Sequence, residues 1–151
     1  MQPTFKDYSF GIILFKKEKN ILKTLIVKQK SNLHFSLPKG HHKQNENEWQ
    51  AALRELKEET GIENVELLVS RKLKENYTFN QNNKKYLKTV TYFIGKLLNN
   101  KNNKKNNFFK TEIQKVMWVN VKNINQFLFP SSLKVVQRAE KLYLKFFNVK
   151  N

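Results

Sequence analysis

Three glutamates, Glu55, Glu58 and Glu59, stand at positions i, i+3 and i+4. On a helix such positions share one face, so the three carboxylates would reach a common point. Like charges so placed repel one another and weaken an isolated helix, and a cation cancels the repulsion. Carboxylate oxygens suit a hard divalent ion, Mg²⁺ or Mn²⁺, of the kind that also binds substrate phosphates. The competing reading is a solvated acidic face, the commoner meaning of clustered glutamates. The clustering needs a reason either way: the chain has 12 acidic residues against 29 basic ones, and five of the 12 lie between Glu46 and Glu59.

The residues around the glutamates decide between the two readings. Gly40 is followed after five residues by Glu46, after seven more by Arg54-Glu55-Leu56, then by Glu58-Glu59 and Gly61-Ile62. Every position matches the Nudix box, a coincidence on the order of 10⁻⁹ per starting point at ordinary residue frequencies. The chain therefore resembles the Nudix hydrolases, which cleave nucleoside diphosphates linked to a further group. The resemblance implies a loop–helix–loop whose glutamates bind divalent ions. It makes Glu55, Glu58 and Glu59 the candidate ligands, with the Gly40 carbonyl as a further donor. Arg54 would orient the loop by pairing with Glu46. Either Glu55 or Glu58 would orient or deprotonate the attacking water, and the choice stays open.

The flanks narrow the resemblance. "HFSLPKGH" (His34–His41), "ENY" (Glu75–Tyr77), "KTV" (Lys88–Val90) and Glu112 six residues before Trp118 occur in that order. Together they are similar to the asymmetrical diadenosine tetraphosphate hydrolases. That resemblance implies His34, Lys39 and Lys88 as phosphate-binding residues and Tyr77 as a platform for a base, with Phe129 as a second aromatic. Lysine is a compact cation suited to phosphate, and a phenol ring offers a flat face to a purine. Glu112 reads equally as a further metal ligand or base and as a turn acid; Tyr77 reads equally as core. "KQN" stands where relatives carry a Pro-Gly turn, and Phe35 stands where they carry Trp. The implied reaction is Mg²⁺-dependent (or Mn²⁺-dependent) hydrolysis of diadenosine tetraphosphate to ATP and AMP. The "PKG" loop is also similar to that of RNA 5′-pyrophosphohydrolases, so RNA 5′ ends are the alternative substrate. A binding module without catalysis is a third reading, against which the intact box argues.

These residues need elements to position them. Residues 48–60 contain neither Pro nor Gly, favour helix throughout, and end at Gly61, where a C-terminal cap belongs. Leu53, Leu56 and Trp49 would hold this helix on a sheet. "YSFGIILF" (Tyr8–Phe15) and "ILKTLIVKQ" (Ile21–Gln29) read as a hairpin turning through "KKEKN". "SNLHFSLPKG" (Ser31–Gly40) reads as a loop. Val65–Phe79 and Lys85–Leu98 read as strands around the turn "NQNNKK", and Gln114–Val121 as a short strand. Asn99–Asn107 is low-complexity and reads as a loop. The tail carries Leu133, Val136, Ala139, Leu142, Leu144 and Phe146 near helical spacing, with Ser131 or Ser132 able to cap its start. The expectation is one α+β domain over residues 1–151, with the Nudix fold implied by the resemblance: an α/β/α sandwich around a central mixed sheet.

Composition sets the outer limits. With 151 residues the chain can bury a substantial core. It has no cysteine, which rules out disulfides and thiolate metal sites and suits a reducing cytoplasm. Its apolar runs are too short and too interrupted for a membrane span or a signal peptide. The net charge of +17 attracts polyanions, although a composition rich in Lys and Asn accounts for it as well.

Overall fold

A computed structural model describes residues 3–98 and 110–147. The low-complexity stretch Asn99–Asn107 lies outside these residues. The elements in chain order are β1 (Thr4–Glu18), β2 (Ile21–Gln29), β3 (Phe35–Ser36), β4 (Lys39–Gly40), α1 (Glu48–Thr60), β5 (Val65–Gln81), β6 (Lys84–Leu97), β7 (Ile113–Asn120), a 3₁₀ turn (Val121–Gln126) and α2 (Pro130–Phe146). The strands form one seven-stranded sheet in the order β3-β2-β1-β6-β5, with β4 added to β1 and β7 to β2. β1 and β6 run parallel over Thr4–Phe15 and Lys85–Lys96, and the other pairs are antiparallel. The sheet is mixed and carries one helix on each face, an α+β architecture.

Strand alternation explains the two layers. In β1, Ile12 and Leu14 pack with Leu25, Ala52, Leu56, Ile62 and Phe93 under α1. Ile13 and Phe15 point the other way, to Ile26, Tyr92, Val135, Val136, Ala139 and Tyr143 under α2. Period-2 alternation in a strand buried on both faces gives this near-continuous apolar run.

The strands are longer and the turns tighter than the sequence suggests. The turns of the β1–β2 and β5–β6 hairpins are the pairs Lys19-Asn20 and Asn82-Asn83, all four at positive φ (51°, 65°, 54° and 61°). That is the conformation of a type I′ turn, which asparagine tolerates and which matches strand twist. The polar stretches "KKEKN" and "NQNNKK" are therefore mostly strand. The expected loop before the box contains the short strands β3 and β4.

Three helix details differ from expectation. Trp49 is 38% exposed and does not anchor α1, a role taken by Ala51, Ala52 and Leu56. Leu144 and Phe146 are exposed on α2, whose buried stripe is Val135, Val136, Ala139 and Tyr143. Neither Ser131 nor Ser132 caps α2: the cap position is Phe129, without a side-chain hydrogen bond, and Pro130 opens the helix. No helix among the described residues is long and apolar enough to cross a membrane.

Candidate active site

Helix α1 is held at both ends. Asn47 and Gln50 form a capping box, the Asn47 side chain accepting from the Gln50 N–H (2.8 Å) and the Gln50 side chain from the Asn47 N–H (2.9 Å). Gly61 adopts the left-handed conformation (φ 78°), and its N–H closes on the Lys57 carbonyl. Burial of Ala52 and Leu56 turns Glu55 and Glu59 toward β4, where they are 4% and 2% exposed. The Lys39 N–H donates to Glu59 Oε1 (3.0 Å). At Gly40 a Cβ atom would overlap the Glu55 carboxyl group. The glycine is needed so that a carboxylate can lie against this backbone.

Arg54 ties the loop to the helix. Its Nε and Nη2 donate to Glu46 Oε2 (2.6 Å) and Oε1 (3.1 Å), and Nη2 also donates to the His41 carbonyl (2.7 Å). Nη1 donates to Glu55 Oε1 (3.0 Å) and to both Glu58 oxygens (3.0 and 2.9 Å). Arg54 holds the Glu46 carboxyl below the usual carboxylate range against the opposing effect of burial. From the segment before β7, the Lys110 N–H donates to the Glu58 carbonyl (3.0 Å), and its ammonium contacts Glu55 and lies 3.9 Å from Glu58.

Among the described residues the direct donor to the Glu59 carboxyl is the Lys39 N–H. Burial, with Glu55 adding to it, pushes its carboxyl up to about 7 against the pull of Lys110 and Lys39. Among the described residues no three acidic or histidine side chains stand as a formed metal cage. Glu55 and Glu58 are turned onto Arg54 and Lys110 instead. A buried carboxylate at Glu59, the Gly40 backbone beside Glu55, and donors that are all oxygen nevertheless fit a hard divalent cation. Glu112 is not drawn in. It lies exposed in the turn before β7, its carbonyl accepts from the Lys30 N–H (2.7 Å), and no side-chain contact links it to the helix glutamates.

On the α2 side of β4 lies a cavity of about 850 Å³. Its lining includes His34, Lys39, Tyr77, Lys88 and Phe129, so the structure brings these five sequence candidates around one space. Lys88 is 6% exposed and donates to Asp7 Oδ2 (2.7 Å) and Ser9 Oγ (2.5 Å). Asp7 also meets His41 Nε2 (2.8 Å). Burial raises the Asp7 carboxyl, but these two partners outweigh it and hold it below the usual range. The Lys39 ammonium has no ion pair or hydrogen bond to another described residue. Burial, and then Lys88, lower its proton affinity. Tyr77 is half-buried, and burial followed by Glu75 pushes its phenol up to about 12. His34 and Phe129 meet at 4.5 Å between ring centroids, with Phe129 53% exposed.

Sequence reasoning assigned no part to four residues of this region. Glu75 is buried in the cavity wall and accepts from Ser131 Oγ (2.6 Å), Ser132 Oγ (2.7 Å) and the Tyr92 hydroxyl (3.1 Å). It clamps the start of α2 to β5, and "ENY" was the only signal for it. Asp7 and Ser9 hold Lys88, and the available sign was the only acid before Glu18. Lys110 carried no local sign at all.

A family model described as "NUDIX domain" matches residues 6–143. A curated relative, the Caenorhabditis elegans "Bis(5′-nucleosyl)-tetraphosphatase [asymmetrical]", is 32% identical over 90 residues, which is 59% of this chain and 64% of that protein. The match thus spans less than two thirds of the relative. Among solved structures, a C. elegans Ap4A hydrolase binary complex superposes with a TM-score of 0.75 at 24% identity, covering 93% of this chain and 99% of the other. The NUDIX domain of Shewanella oneidensis NrtR complexed with ADP ribose gives 0.64 at 18%, covering 91% and 88%. At these identities the superpositions speak for the fold.

Proposed function

The chain belongs to the NUDIX domain family, and from that premise we propose that it hydrolyses a dinucleoside polyphosphate, diadenosine tetraphosphate in first place, to ATP and AMP. The carrying observation is that one cavity is lined by Lys39, Lys88, Tyr77 and Phe129 together, and that the backbone of the same Lys39 donates to Glu59 of α1. The printed activity of the C. elegans relative supports the same substrate class. The absence of cysteine suits work in a reducing cytoplasm.

Glu55, Glu58 and Glu59, with the Gly40 carbonyl, would hold Mg²⁺ or Mn²⁺. Such an ion would offset charge on the phosphates and make the attacking water easier to deprotonate. The chain's own residues do the rest. Lys39, whose ammonium pairs with no carboxylate among the described residues, and Lys88, oriented by Asp7 and Ser9, bind phosphate oxygens. His34 adds a polar contact at the cavity wall. Tyr77 and Phe129 receive a base on a ring face. Glu55 or Glu58 takes a proton from water as its oxygen bonds to phosphorus and the bridging P–O bond breaks toward the leaving phosphate. Arg54 keeps both glutamates in place from the side.

Turnover of diadenosine tetraphosphate, measured with Mg²⁺ and with excess chelator, tests the reading. It expects activity with Mg²⁺, none with chelator, and loss in Glu58→Gln with an unchanged circular dichroism spectrum. Full turnover in chelator would overturn it.

A further inference from the structure

Helix α2 turns Val135, Val136, Ala139 and Tyr143 onto the sheet. Its opposite face carries Lys134, Arg138, Lys141 and Lys145, all exposed. The spacing i, i+4, i+7, i+11 sets these four cations within about 60° of one another around the axis, in a straight stripe roughly 16 Å long. Among the described residues none of the four joins an ion pair. Acids elsewhere on the surface are matched: Glu18 meets Lys16 and Lys23, Glu48 meets Lys72, and Glu63 meets Lys57. The one acid of α2, Glu140, is half-buried and lies off the stripe. At the C-terminal end the stripe meets two apolar side chains, Leu144 (51% exposed) and Phe146 (39% exposed). Arg71 of β5 and Lys145 both lie over the Phe146 ring, at 5.2 and 5.3 Å from its centroid.

Like charges one turn apart repel, and an extended anionic surface removes that cost. A second copy of this chain would set stripe against stripe. A single-stranded nucleic acid needs free ring faces for its bases, and Phe146, the exposed ring at this end, already lies under two cations. An anionic lipid surface needs no ring: its headgroups take the cations, and an exposed leucine reaches the border of the acyl chains. We propose that the outer face of α2 rests on an anionic membrane surface, lying on it and not crossing it. Each Lys or Arg close to such a surface contributes about five-fold to partitioning. Helix α1 packs on the other face of the sheet, so in this pose its glutamates point away from the lipid.

Sedimentation of the full chain with phosphatidylcholine vesicles, with and without phosphatidylserine, tests the surface at physiological ionic strength. Binding is expected to the vesicles that contain phosphatidylserine and not to phosphatidylcholine alone. Because the whole chain is cationic, two charge-matched double variants locate the contact. Arg138→Gln with Lys141→Gln removes the middle of the stripe. Lys6→Gln with Lys85→Gln removes two exposed cations from the sheet face opposite α2. The first should lower the partition coefficient about ten-fold or more, and the second less than about three-fold. Leu144→Ser should lower it about two-fold or more, with Tm unchanged because the side chain is exposed. Equal losses in the two doubles would overturn the proposal, since net charge and not the helix would then carry the binding. Failure to bind the phosphatidylserine vesicles would overturn it as well. A single-stranded oligonucleotide titrated in parallel supplies the remaining outcome. If its affinity falls in the α2 double while vesicle binding does not, the stripe belongs to nucleic acid and the membrane proposal fails.

Discussion

Replacing Arg54 with alanine removes one guanidinium from between three carboxylates. Glu46 loses a bidentate partner (2.6 and 3.1 Å), the His41 carbonyl loses a donor, and Glu55 and Glu58 face each other one turn apart. Charge-assisted hydrogen bonds contribute ~1.5–3 kcal/mol apiece. Here they share one side chain that is 22% exposed, so the total is discounted to ~3 kcal/mol. For a chain of this length ~1 kcal/mol moves Tm by ~2–4 °C, which gives a fall of ~6–12 °C at neutral pH. The pH dependence has a definite sign. Arg54 holds the folded Glu46 carboxyl below its usual range, so its contribution is present above that range and is lost as pH falls through the folded value. The Tm gap between wild type and Arg54→Ala should therefore be full at neutral pH and close on acidification. Added Mg²⁺ should raise the variant's Tm more than the wild type's, since a cation would relieve the same repulsion. Differential scanning fluorimetry across pH, with and without Mg²⁺, measures all of this. A Tm loss under ~2 °C, or a gap that stays constant into acid, would refute the reasoning.

Gly40→Ala should force Glu55 away from β4 and lower kcat/KM ~10-fold or more, because small displacements of a reacting group are costly; steady-state kinetics beside a melting curve would show it. Glu59→Gln should change the metal-free stability profile. The folded Glu59 carboxyl is raised to about 7, so its favourable contribution is full in acid and is lost as pH rises through that value; wild-type Tm should decline from the ordinary carboxylate range to about pH 7, and the variant should decline less. Lys88→Met should weaken binding of a non-hydrolysable dinucleotide analogue in calorimetry. It should also lower Tm, because the buried ammonium pairs with Asp7, and Asp7→Asn in the same background should return part of that loss.

Short-range physics made much of the fold legible. The helix at Glu48–Thr60 follows from an unbroken run of helix formers closed by Gly61, and both hairpins follow from apolar β-branched strands around polar turns. Strand limits were less legible because Lys and Asn fill both turns and exposed strand edges here. Lys84 and Lys85 extend β6, whereas Lys19 and Asn20 turn the chain. The amphipathic reading of α2 failed at Leu144 and Phe146, which lie exposed while Tyr143 and Phe147 on either side of them pack on the core. In the candidate site, the ordered set His34, Lys39, Tyr77 and Lys88 was visible as motif, and the cavity shows that they share a space. Pairings across long stretches of chain were not visible. Ser131 and Ser132 look like helix caps, but a buried carboxylate is the stronger acceptor, and Glu75 lies 56 and 57 residues away. Lys110 reaches Glu55 over a separation of 55 residues for the same reason: a carboxylate cluster attracts whatever cation the fold brings near.

The central claim is that the glutamate face of α1 and the cavity beside it act as one asymmetrical hydrolytic site. Early products from diadenosine tetraphosphate in Mg²⁺, separated by ion-exchange chromatography, test it most directly. The account predicts ATP and AMP in equal amounts, from wild type and not from Glu58→Gln. Two molecules of ADP as the product, or equal turnover by Glu58→Gln, would contradict it.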